Sequence, residues 1–71
     1  MDDFYENIKG LNLHGLKGTY YRLRMHYEHT NEIIKTVSEL YQTQDEDNLR
    51  IAIAILNETK KEYRNGDRGR Y

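Results

Sequence analysis

The sequence predicts an all-α protein, on the strength of two apolar stripes and the boundary between them. Leu13, Leu16, Tyr20, Leu23, Tyr27, Thr30, Ile34, Val37 and Tyr41 recur at alternating intervals of 3 and 4 residues. A helix would align them in one seam. Leu49, Ala52, Ile53, Leu56 and Tyr63 make a second stripe at helical spacing. Between the two, Thr43-Gln44-Asp45-Glu46 has the form of a capping box, in which the Thr hydroxyl and the Glu side chain satisfy each other's free backbone N–H groups. The expected architecture is an antiparallel helical hairpin with its turn at Gln42 and Thr43. A short N-terminal helix packed on it completes a small three-helix arrangement, which could pair with a second copy.

Taken in order, Asp2, Asp3 and Glu6 place acids in the first turn of a helix one to two turns long, where they suit the dipole. Gly10, Gly15 and Gly18 then argue against helix before about Leu16. A bend there is expected to fold Phe4, Ile8 and Leu11 back onto the hairpin. The main segment is read as continuous from Leu16 to Tyr41. Its weak point is His29-Thr30-Asn31-Glu32, where Thr30 or Asn31 could cap a new helix, but the 3-4 spacing crosses Thr30 without a phase slip. The last helix is expected to end with Lys60, Lys61 and Arg64 in its final turns and an Asn65-Gly66 cap. Residues 1–66 would then form one small domain and residues 67–71 a disordered basic tail.

Length sets the stability problem. A chain of 71 residues buries only about 60% of its unfolded surface, and with Cys 0 it has no disulfide to help and no sign of an oxidising compartment. No apolar run approaches the roughly 18 residues of a membrane span, and the acidic start lacks the features of a signal peptide, so a cytoplasmic setting without membrane contact is expected. The formal net charge is −1, which by itself favours no charged partner. In the expected hairpin the charges separate. Lys17, Arg22, Arg24, Lys60, Lys61 and Arg64 collect at the open end and Glu39, Asp45, Glu46 and Asp47 at the turn.

Candidate interaction residues follow from what the hairpin cannot cover. Ile51 and Ile55 point about 120° to 160° away from the second stripe at roughly 100° per residue. Their cover would be the N-terminal segment, a second copy or a target protein. Tyr21 lies off the seam beside Arg22 and Arg24, an aromatic and basic mixture suited to an acidic protein surface or to nucleobases. Tyr20, Tyr27, Tyr41 and Tyr63 read as core residues. His26, His29 and Glu32 would share a helix face and could offer a metal two imidazoles and a carboxylate, but no further ligands accompany them, so no metal and no other cofactor is expected.

Ile8-Lys9-Gly10-Leu11-Asn12-Leu13-His14-Gly15-Leu16 resembles the leucine and glycine element near the start of transposition-helper ATPases and helicase loaders. The likeness covers about nine residues and implies a partner-docking segment, not ATP hydrolysis. No nucleophile, base and orienting group stand at a usable spacing, so no enzyme is expected. The residues favour a small regulator, adaptor or inhibitor that binds another protein through an exposed helix face. The alternatives are a nucleic-acid-binding regulator using the basic end, and a structural dimeric or assembly module.

Overall fold

The computed structural model describes residues 3–61 and contains four helices: α1 (Asp3–Lys9), α2 (Leu13–His26), α3 (Asn31–Gln42) and α4 (Glu46–Thr59). The long helix expected from Leu16 to Tyr41 is broken after His26. Tyr27 has extended backbone at φ −137° and ψ 159°, and Thr30 caps α3 by accepting from the Ile33 N–H at 3.3 Å. The unbroken 3-4 spacing failed to report this because core residues on either side of the break stay in phase with one another. Leu16, Tyr20 and Leu23 on α2 and Val37 on α3 are all buried.

Helix α4 is the element the others pack on. Its Leu49, Ala52, Ile53 and Leu56 are fully buried, as their spacing predicts. Helices α2 and α4 run in the same sense. The Leu11 carbonyl just before α2 meets Arg50 in the early turns of α4, and Tyr27 just after α2 lies under Lys60 just after α4. Helix α3 returns between these ends, so α2, α3 and α4 go up, down and up. This corrects the two-helix hairpin, in which the segment carrying Leu16 and Leu23 would run antiparallel to α4.

Local chemistry places each helix end. The Asn12 side chain accepts from the Gly15 N–H at 3.0 Å, which starts α2 at Leu13 despite the glycines. Helix α4 is capped by Asp45, which accepts from the Asn48 N–H at 3.0 Å, and not by Thr43. The Thr43 hydroxyl instead donates to the Leu40 carbonyl at 2.7 Å, because α3 persists through Gln42 and residues 43–45 make the turn. Helix α4 ends at Thr59 with Lys60 extended, earlier than the sequence suggests. Tyr63, Arg64, the Asn65-Gly66 cap and the tail lie outside the described residues.

The N-terminal segment does fold back. Ile8 is buried, and Phe4 and Leu11 pack on the core. The guanidinium of Arg50 holds it there, donating from Nε to the Ile8 carbonyl at 3.3 Å and from Nη2 to the Leu11 carbonyl at 3.1 Å. The Ile8 carbonyl also accepts from the Leu11 N–H at 3.2 Å, so Arg50 adds a second donor at the end of α1 and ties the turn after it to α4. Glu46 and Asp47, one turn earlier on α4, hold the same guanidinium at 3.6 and 3.1 Å. A second tie is the Tyr5 hydroxyl, which donates to Glu58 Oε2 at 2.9 Å and accepts from Asn57 Nδ2 at 3.3 Å.

Candidate interaction surface

Helix α2 turns Leu16, Tyr20 and Leu23 toward α4, so the opposite side faces out. The largest exposed apolar side chains of the described residues are Met25 at 71%, Tyr21 at 53% and Ile51 at 50%. Tyr21 and Met25 are separated by one helical turn on that outward side. Arg22 beside them is exposed, and Lys17 and Arg24 are half-exposed. The sequence of α2, LHGLKGTYYRLRMH, contains no carboxylate, and among the described residues the only ion pairs are those of Arg50. The outer face of α2 is therefore an aromatic and thioether strip framed by unpaired cations.

Tyr21 is held in place. Its ring stands edge-on to Tyr20 at 5.7 Å and to Tyr41 at 5.6 Å, and Tyr20 and Tyr41 lie 4.5 Å apart. The Tyr41 hydroxyl donates to the Tyr21 hydroxyl at 3.3 Å. That hydrogen bond, then desolvation and the neighbouring phenols, raises the Tyr41 pKa above its ordinary 10.0. The three tyrosines fix the rotamer of the exposed ring, which lowers the entropy it would lose on binding.

The remaining candidates are distributed differently from the expectation. Ile51 is half-exposed on the far side of α4, whereas Ile55 packs against the core, so the two do not form one open pair. Because α2 and α4 bury their facing sides, Tyr21 and Ile51 belong to separate surfaces. The basic open end is also divided. Lys17 lies near the start of α2, roughly 14 Å of helix rise from His26, while Lys60 and Lys61 follow α4 near the other end of α2. Lys60 sits 4.5 Å over the Tyr27 ring, and Lys61 exchanges backbone hydrogen bonds of 3.0 and 2.8 Å with Glu28. Arg64 lies outside the described residues.

The His26, His29 and Glu32 spacing loses its meaning with the helix that carried it. His26 ends α2, Glu32 sits in the first turn of α3, and His29 lies in the linker with Nε2 donating to the Leu56 carbonyl at 2.9 Å. Among the described residues no three His, Cys, Asp or Glu side chains converge to hold a metal. No helix there is long and apolar enough to cross a membrane.

Met25 went unnoticed in the sequence, although its four-residue separation from Tyr21 was visible. The cleft beside it was not, because its second wall belongs to α1. It holds about 460 Å³ between α1 and α2, with Phe4, Ile8 and Leu11 on one wall and His14, Gly18 and Arg22 on the other. No family model matches this chain, and comparison with characterised proteins and with solved structures finds no similar one.

Proposed function

We propose that this chain is a small non-enzymatic protein-binding module, a regulator, adaptor or inhibitor, that engages its partner through the outer face of α2. One observation carries this: Tyr21 and Met25 are the two most exposed large apolar side chains among the described residues, and they stand together on a helix whose only charges are positive. Aromatic, Met and Arg side chains are the types enriched at the energetic centre of protein interfaces. The rigid ring of Tyr21 anchors, Met25 adapts, and Lys17, Arg22 and Arg24 select for an acidic surface. A cytoplasmic setting remains part of this proposal.

Nucleic acid is the competing ligand, favoured by the same three cations. Salt separates the two, since a phosphate contact releases counterions and an apolar anchor does not. The experiment compares wild type with the Tyr21→Glu, Met25→Glu double variant, both checked by circular dichroism. Protein partners captured from the native host are expected to be retained by wild type and lost by the double variant, and filter binding of single- and double-stranded oligonucleotides is expected to show no retention near about 50 mM salt. Retention of oligonucleotides with a steep salt slope, or capture indifferent to both substitutions, overturns the proposal.

A further inference from the structure

The cleft between α1 and α2 borders the face just described, and the two glycines of α2 that line it differ in what an added side chain would meet. A Cβ at Gly15 would stand 3.0 Å from Leu11 Cδ2, so Gly15 is explained by close packing of the preceding segment on the helix. Gly18 has nothing within 4 Å of an added Cβ and no positive φ. Neither packing nor backbone conformation requires glycine there, yet a glycine inside a helix costs about 1 kcal/mol relative to alanine. Its effect is to leave the α2 wall of the cleft bare. Arg22, four residues on, borders the same space with no ion pair among the described residues. A volume of about 460 Å³ lies within the range of ligand pockets and admits a bulky side chain.

We propose that this cleft receives one bulky apolar side chain of the partner protein, and that an Asp or Glu beside that side chain pairs with Arg22. The partner segment is thus acidic and amphipathic. This rests on the protein-binding reading above and names the kind of segment bound. Charge decides between occupants. A second copy using the same face would set Lys17, Arg22 and Arg24 against their own equivalents. A nucleic acid would satisfy the guanidinium but leave the wall of Phe4, Ile8 and Leu11 without an apolar partner. An acidic segment carrying a Leu, Met or aromatic residue meets both halves of the site.

The test pans a random-peptide library displayed on phage against the wild-type chain alone, and the binding of the enriched peptides to Gly18→Leu is then measured beside wild type. Leucine fills the cleft from a position with open space around it, and circular dichroism is expected to show an unchanged or more stable fold. Arg22→Glu, at an exposed residue, is the second variant. Enriched peptides are expected to share a bulky apolar residue next to Asp or Glu and to bind each variant at least roughly tenfold more weakly, Arg22→Glu through loss of a charged hydrogen bond and Gly18→Leu because the cleft is filled. Replacing the acid by Lys should restore binding to Arg22→Glu. Peptides that bind Gly18→Leu as well as wild type, but lose affinity for Tyr21→Ala with Met25→Ala, would overturn the cleft proposal and leave the α2 face standing. Enrichment of basic peptides also overturns it, and peptides sensitive to none of these substitutions overturn both readings.

Discussion

The hydroxyl pair of Tyr41 and Tyr21 shows how a single hydrogen bond at the candidate surface becomes measurable. Tyr41 must be protonated to donate to Tyr21, so its folded pKa lies above the 10.0 it would have when unfolded. A raised value means that the stabilisation is complete below the unfolded pKa and is lost as pH rises through the folded one. The contribution of this pair is therefore expected to be constant across neutral pH and to fall above about pH 10. Tyr21→Phe removes the acceptor, and in a tyrosinate absorbance titration the late-titrating tyrosine of wild type should return to the ordinary range. An unaltered titration would mean that the two hydroxyls do not meet. The isoleucines of α4 give a second contrast at this scale. Ile51 is half in solvent, so Ile51→Glu should change unfolding free energy by no more than about 0.5 kcal/mol. Ile55 packs on the core, so Ile55→Glu should cost about 1 to 3 kcal/mol by urea denaturation. Equal losses would place both residues in the core.

Turn chemistry between α3 and α4 decides where each helix stops. Gln44 has φ 57°, a left-handed conformation that a side chain adopts at a cost of roughly 1 to 2 kcal/mol and glycine does not. Gln44→Gly is expected to raise stability by up to about 1 kcal/mol, part of the relief being offset by the greater freedom of glycine in the unfolded chain. Asp45→Ala should lower it by about 1 kcal/mol through loss of the α4 cap. Thermal denaturation checks both, and a destabilising Gln44→Gly would show that the Gln44 side-chain bond to the Tyr41 carbonyl, at 2.9 Å, outweighs the backbone strain. These positions also mark what the sequence could tell. Leu49, Ala52, Ile53 and Leu56 were legible because one face of α4 is covered along its length. The face of α3 was half legible: Val37 is in the core, but Ile33 and Leu40 pack there where the continuous stripe had chosen Ile34. The cap was displaced by two residues because Thr43 and Asp45 are both good capping types, and only the extent of α3 chooses between them. Tyr21 could be identified as surplus to the seam, whereas the cleft needed the placement of α1, which Arg50 fixes from the other end of the chain.

At the scale of the whole molecule, the linker from Tyr27 to Thr30 determines which chain α4 folds with. It contains neither Gly nor Pro, and an apolar stripe of unbroken helical spacing runs across it, so nothing in its backbone chemistry forbids a single helix from Leu13 to Gln42. What holds it bent is a set of contacts with the end of α4 and a cap. Thr30 accepts from the Ile33 N–H, His29 donates to the Leu56 carbonyl, Glu28 and Lys61 exchange backbone bonds, and Tyr27 carries Lys60 over its ring. His29→Ala with Thr30→Ala removes two of these and substitutes the best helix former at both sites. A straightened α2 and α3 could not both lie on their own α4. Helix α2 would find its apolar partner in the α4 of a second copy, which is domain exchange. The double variant is therefore expected to keep its helical circular dichroism and to show a larger dimer fraction than wild type by sedimentation equilibrium at the same concentration. A variant that merely loses stability, with helicity and mass unchanged below its transition, would show that the bend is set by core packing of Leu23 and Val37 and not by the linker.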